Sequence, residues 1–451
     1  MIKDKIVNKL GWDIKDKYFI IILLCSSILI GVLFSTSPII LIIIILVLAL
    51  GISFLNPDIS LFLFIASIPI EFFLKDNFSL VIKLTGAIAF LSKLLQLIIF
   101  KRRIKWDIPL ILMIAYVFWA FVSFFWSQDR TRAFTFFTSY ALLTGLYFLI
   151  INQEYSDKTI KLISYALSLG GICLAISGIY QIVNNTYFLN IRRVVGATND
   201  QNYYFMLSIS LFPFFYYVIN KVKKNYIKFI ISLFIILLLY TDLYTKSRAG
   251  LITLFLFGLI YMLFQKHKKR ILLLLFAIAL FVLVFAPIDY WDRFASMKDL
   301  SSDDMNRVTL IWPQAIKAFF QRPINGYGIG NGEIYLREIT SVPLYLASSY
   351  VLSAHNVYLG ITLDLGIIGL FLYLGFIILP TRNLFLTIIN KNRYKIPRIE
   401  YYFSILVISV IISYLFYIFQ GGGMETRKIL WLFMGICTIM SYRNKSAIKI
   451  V

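Results

Sequence analysis

The residues best suited to chemistry in this chain are one histidine and a scattered set of arginines. His355 is one of only 2 histidines. A neutral imidazole can take a proton from a sugar hydroxyl, and an ordinary pKa of about 6.5 leaves it mostly unprotonated at neutral pH. The other, His267, lies in the basic run 266–270 and reads as part of a solvated loop. Arg192, Arg193, Arg248, Arg307 and Arg322, with Arg130, Arg132, Lys246 and Arg293, stand apart from the main basic clusters. Arginine's planar fork matches phosphate oxygens and keeps its charge at any working pH. A lipid phosphate or pyrophosphate is its natural partner; the plainer alternative is contact with membrane headgroups.

The elements that must position these residues are membrane helices. The 451 residues are 60% hydrophobic and 15% charged, with a mean hydropathy of +0.82. A soluble domain is closer to half apolar and a quarter charged. The sequence predicts an all-α, polytopic transmembrane bundle of about 12–14 spans in a single membrane domain, 1–451. Candidate spans lie near 18–34, 37–55, 58–74, 79–100, 108–126, 134–152, 159–184, 203–219, 227–245, 248–264, 270–287, 355–379, 400–419 and 427–441. The mixed-charge stretch 1–17 reads as a cytoplasmic lead-in to a retained first helix, not a signal peptide. Cys25, Cys173 and Cys437 lie far apart in apolar runs, so neither a disulfide framework nor a metal site is implied.

Charge placement orients the bundle. The net charge of +22 invites a nucleic-acid reading, but the cations sit in short clusters between apolar runs. With the N-terminus inside, the clusters near 101–103, 221–224, 266–270, 391–398 and 443–445 all fall on the cytoplasmic side, as does the C-terminus. The same register places the arginines named above outside, where they contribute nothing to orientation. It also places outside the one long hydrophilic segment, 288–354. Its aromatic content argues for a folded cap. Within it, Arg307 to Gln321 suits a short amphipathic helix with Ile311, Ala315, Ala318 and Phe319 on one face.

Further candidates are charges inside spans: Asp242, Asp364, Lys83 and Lys93. Each is a functional hypothesis because a charge there is costly. A structural pairing of Asp242 with Lys246 or Arg248 is the alternative. Asp303 and Asp304 read as a solvated turn, since a hard-cation site needs several converging oxygens.

Four stretches carry a family resemblance. Thr-Lys-Ser-Arg-Ala-Gly-Leu at 245–251 resembles the serine-arginine-small signature of the O-antigen ligase and polymerase superfamily. The pair Arg307 and Trp312, followed by Pro-Ile-Asn-Gly-Tyr-Gly at 323–328, resembles that family's loop motif. His355-Asn356, with the glycine-spaced helix behind it, and the segment 193–202 leading to Asn202, are similar to two more of its motifs. The proline often found before that asparagine is absent here.

The resemblance implies a fold of the GT-C kind and glycan transfer on the outer face of the bacterial cytoplasmic membrane. The implied donor is a polyprenyl-pyrophosphate-linked oligosaccharide, with no cofactor and no metal. The acceptor is a glycan or a lipid, and a polysaccharide chain-length regulator is a further implied partner. The implied enzyme is an inverting glycosyltransferase. In that reading Arg248, Arg307 and Arg193, with Arg192 as the alternative to the last, hold the pyrophosphate. His355 acts on the acceptor hydroxyl, and Asn202, Asn356, Asp242 and Arg322 support. A surface-polysaccharide polymerase is expected first, then a ligase to lipid A-core or another acceptor, then a protein-glycosylating relative. A lipid-linked oligosaccharide flippase is the reading from another class; it would call for two similar halves.

Overall fold

The structure, a computed structural model, describes residues 52–53, 56–186, 193–198, 200–265, 267–288, 290–291, 307–339, 353–419, 421 and 427–446; the side chains of 72–82, 307, 310, 339 and 446 lie outside that description. The expected spans at 18–34 and 37–55 therefore fall wholly or almost wholly outside it, as do Arg192, Arg293, Asp303 and Asp304. In chain order the helices are α1 (Pro57–Ser67), α2 (Glu71–Ile99), α3 (Ile108–Val122), α4 (Arg130–Ile151), α5 (Asp157–Asn184), α6 (Gln201–Lys221), α7 (Asn225–Tyr244), α8 (Arg248–Leu263), α9 (Lys268–Phe285), α10 (Trp312–Gln321), α11 (Gly332–Ile339), α12 (Val357–Ile389), α13 (Lys391–Tyr394), α14 (Arg398–Ile418) and α15 (Lys428–Ser446). Among the described residues 7 helices are long and apolar enough to cross a membrane: α3 with its 3-10 extension, α4, α5, α6, α7, α12 and α14.

Most expected boundaries agree with these helices to within a few residues, and two differences have physical causes. The sequence separates spans at 58–74 and 79–100. The chain instead turns through a 3-10 segment, Ile68–Ile70, that carries Pro69. A proline lacks the N–H that would continue the α-helix. The span expected to stop at 379 runs on through Pro380 to Ile389.

The last helix sits deepest. Residues 429–434 of α15, together with Ile436, Cys437, Ile439 and Met440, are at most 2% exposed. Trp431 lies against Tyr140 and Phe376. Its outward counterparts are the lipid-facing residues of α9, where Leu272, Leu273, Phe276, Leu283 and Val284 are exposed. A helix hydrophobic all round belongs inside a bundle, and an exposed apolar face belongs against lipid.

The two ends of the bundle differ in chemistry. At one end the basic segments meet: Arg102 pairs with Glu154, Lys221 with Asp157, and Arg443 with Glu400 and Asp157. Asn444 bonds Thr387, and Tyr155 stacks on Tyr442. At the other end lie 129–132, 193–202, 245–248, 354–358 and 427–428, described below. The register deduced from charge thus separates residues that are also separated in space.

Candidate functional site

The Gly-rich turn is locked into a broken helix. Within α12, Gly366 has φ 65° and ψ −164°, a backbone region essentially reserved for glycine. The break takes carbonyls and amides out of the helical ladder, and each needs a partner inside a membrane protein. They find them in the turn. Tyr327 N donates to Leu363 O at 2.8 Å, Gly328 N to Asp364 O at 2.8 Å, and Ile367 N to Pro323 O at 2.8 Å. Trp119 Nε1 donates to Leu365 O at 3.0 Å. Gly330 N and Gly332 N each donate to one carboxylate oxygen of Asp364 at 2.8 Å. Asp364, singled out in the sequence as an intramembrane charge, is therefore an anchor for the turn.

The same turn is held from the α3–α4 corner. Asn331 Oδ1 accepts from Asp129 N at 2.6 Å, and Ser123 Oγ accepts from Ile329 N at 3.0 Å. Arg132 donates to Gly330 O and pairs with Glu333 at 3.0 Å. Above the turn, Ile311, Ala315 and Ala318 are buried with Tyr327, Leu336 and Leu363, and Phe319 packs against them. This is the apolar face expected of the amphipathic helix, preceded by a π-helical turn, Arg307–Ile311. Arg322 is exposed and its guanidinium lies 5.0 Å above the Tyr327 ring, which stacks on Tyr335.

Beside this cap, His355 is half-buried and takes φ 47°, unusual for a residue with a side chain. Its N–H donates to Ser353 Oγ at 3.2 Å. Asn356 caps α12, accepting from the amides of Tyr358 and Leu359. These bonds occupy its Oδ1 with a helix cap. Trp312 Nε1 donates to Ala354 O at 2.9 Å, so the tryptophan of the loop motif fixes the backbone next to the histidine.

Arg248 stands in a matching position. Lys246 takes φ 52°, Ser247 caps α8 by accepting from Gly250 N at 3.0 Å, and its hydroxyl donates to Asn202 Oδ1 at 2.8 Å. Asn202 thus reaches the serine-arginine motif through the cap. Arg193 is 9% exposed; its Nε donates to Thr245 O at 2.8 Å, beside the backbone bond from Val194 N to Tyr244 O at 2.9 Å. Asp200 caps α6. Asp242 departs from the expected pairing with Lys246 or Arg248. It is 1% exposed and its Oδ2 accepts from Ser208 Oγ at 2.8 Å. Arg307 opens the π-helical turn; the role expected of its side chain lies outside the described atoms.

One turn of α14 brings the two groups together. Tyr358 OH donates to Leu415 O at 2.9 Å, and Trp312 packs on Phe419 with ring centres 5.2 Å apart. Two residues on from Leu415, Tyr417 lies within electrostatic reach of Asp200, Arg427 and Arg193. Antiparallel α8 packs along the same helix, so Arg248 begins at this end too. The N-termini of α4, α6, α8, α12 and α15 all face it, adding partial positive charge.

Arg427 is a member of this group that the sequence reading missed. Its guanidinium lies 4.3 Å from the Tyr203 ring centre, and its neighbour Lys428 pairs with Glu71. The signal was present: Arg427 opens the last span on the same side as Arg193 and Arg248.

Comparison with known proteins agrees with the motif order. A relative, the ComP-specific O-oligosaccharyltransferase of Acinetobacter baylyi (strain ATCC 33305 / BD413 / ADP1), is 26% identical over 235 residues, covering 49% of this chain and 41% of that protein. The match thus spans less than half of the relative's length. Residues 233–374 match the family model described as O-antigen ligase. The stretch that runs from Asp242 and Arg248 through the Gly-rich turn to His355 and the break at Gly366 is therefore similar to the O-antigen ligase family over that length.

Proposed function

We propose that this protein transfers a glycan from a polyprenyl-pyrophosphate carrier to an acceptor hydroxyl at the arginine-bearing end of the bundle, on the outer face of the bacterial cytoplasmic membrane. The observation that carries this is the turn of α14 around 415–419. The segment leading into His355 rests on it through Tyr358 and Trp312, and α8, which begins at Arg248, packs along the same helix. The match of residues 233–374 to the family described as O-antigen ligase supports the same reading.

The chemistry follows from the residue types. The acceptor oxygen forms a bond to the anomeric carbon as the bond from that carbon to the pyrophosphate oxygen breaks. The electron pair leaves with the pyrophosphate, and the hydroxyl proton passes to the His355 imidazole. Arg248 and Arg193, with Arg307 and with Arg192 as the alternative to Arg193, hold the charge that gathers on the leaving group. Pyrophosphate leaves readily, so charge stabilisation and an oriented nucleophile suffice without a metal. A single displacement of this kind inverts the anomeric centre.

On the acceptor side a polymerase was expected first from the sequence. The matched family is described as O-antigen ligase and the relative as an O-oligosaccharyltransferase, so a ligase stands beside the polymerase as an acceptor-side reading. The test is His355→Ala and Arg248→Ala in the native host, with surface glycan resolved on a gel. Each variant should lose about 10²–10³ in rate. Wild-type ladders from both would overturn the transferase reading. In a deletion strain, bare acceptor with lipid-linked polymer accumulating marks a ligase; a single capped repeat marks a polymerase.

A further inference from the structure

The basic end of the bundle holds a second site, independent of the transfer chemistry. A cavity of about 620 Å³ opens there, lined by His267, Lys391, Lys395, Arg398, Tyr401 and Tyr402. Asn392 and Ile396 complete the lining, so no carboxylate contributes to it. The positive-inside rule accounts for the number of cations at this end. It does not account for their convergence on one concavity.

Four other cations of this end are matched. Arg102, Lys158, Lys221 and Arg443 each pair with Glu154, Asp58, Asp157 or Glu400. Among the described residues none of His267, Lys391, Lys395 and Arg398 forms an ion pair. Their neighbours are aromatic faces: Lys391 lies 4.3 Å above the Tyr401 ring and Arg398 5.8 Å above Tyr402. A ring face steadies a cation but adds no negative charge. Gathering like charges around a hollow is unfavourable unless an anion enters it.

We propose that this cavity binds the phosphate headgroup of an anionic phospholipid from the leaflet that meets the basic end. Exposed apolar residues close in sequence to the lining favour a lipid over a free anion. Ile389, two residues before Lys391, is 59% exposed, and Leu263, four before His267, is 67% exposed. Acyl chains lying on these residues would leave the headgroup over the cations. Basic pockets between helices are a known chemistry for such headgroups.

The experiment measures binding of dioleoyl phosphatidylglycerol and of dioleoyl phosphatidylcholine to the full chain in neutral detergent, by native mass spectrometry. Wild type should retain the anionic lipid preferentially. Removing three cations in Lys391→Gln/Lys395→Gln/Arg398→Gln should weaken it by about a hundredfold, at about fivefold each. The charge-preserving Lys391→Arg/Lys395→Arg variant should retain it, which keeps the test open if the triple variant folds poorly. Equal retention of both lipids by wild type would overturn the proposal. So would inorganic phosphate that displaces the anionic lipid, since that would make the cavity a free-anion site. Glycan transfer is not the readout, so failure here leaves the transferase reading untouched.

Discussion

Replacing Asp364 by alanine should release the Gly-rich turn without removing any group that touches substrate. The carboxylate accepts two amide bonds at 2.8 Å, from Gly330 and Gly332. Hydrogen bonds to a charged acceptor contribute about 1.5–3 kcal/mol each, and the orphaned amides add a desolvation cost. The backbone bonds from Tyr327 and Gly328 remain, so the turn loosens and does not detach. A net loss of about 2–4 kcal/mol in local stability is expected, equivalent to amides that open roughly 30 to 1000 times more often. Hydrogen exchange followed by mass spectrometry on the purified protein reads this in peptides spanning 326–334. Peptides from α15 serve as the unaffected reference. Transfer activity should fall with the same variant, because the cap also packs on the Ala354–His355 backbone through Trp312. Asp364→Asn keeps one acceptor oxygen and should fall between. Lost activity with unchanged exchange in 326–334 would refute the reasoning, since Asp364 would then act on substrate and not on the turn.

Three other outcomes follow from single contacts. Gly366→Ala places a Cβ 2.1 Å from Ile324 O at a φ of 65°, so the variant should fail to accumulate in membranes; normal yield on an immunoblot would show that the break is dispensable. Burial holds the Lys105 ammonium down to about 8, whereas an unfolded lysine keeps its proton to about 10.4. Between those values the unfolded chain binds more protons, so stability gains from rising pH; thermal unfolding of Lys105→Met against wild type should show this gain only in wild type. Arg427→Gln should slow glycan transfer about a hundredfold at unchanged protein level, while Arg322→Gln, which loses only an exposed contact with Tyr327, should transfer at nearly the wild-type rate.

The helices were legible because lipid makes an apolar run unambiguous. Most span boundaries therefore agree, and the break expected between 74 and 79 falls instead at Ile68–Ile70, where Pro69 sits. The amphipathic face of Ile311, Ala315 and Ala318 was legible for the same reason, by its 3.6-residue period. Asp364 was not. Its neighbours in sequence are apolar, and the amides that neutralise it come from glycines more than 30 positions away. No periodicity encodes a backbone pairing of that range. Asp242 misled in a related way: nearby cations suggested an ion pair, but its partner Ser208 lies on α6, a separate helix. Arg427 was legible in principle from its place in the register, although nothing local marks it.

Once the internal partners are known, the outward cations sort into two sets. Arg132 is neutralised by Glu333, Lys428 by Glu71, and Arg322 lies on Tyr327; packing of the cap and of α15 is reason enough to retain these. Arg193, Arg248 and Arg427 differ in where they are anchored. Arg193 is tied to the backbone that leads into α8, Arg248 follows the Ser247–Asn202 cap, and Arg427 lies over Tyr203 near the start of α6. All three border helix N-termini, where partial positive charge already favours an anion. The proposed pyrophosphate therefore belongs at the meeting of α6, α8, α14 and α15. His355 stands beside Trp312 and the cap helices, so the proposed reaction would bring its acceptor hydroxyl in from the cap while the arginines hold the leaving group.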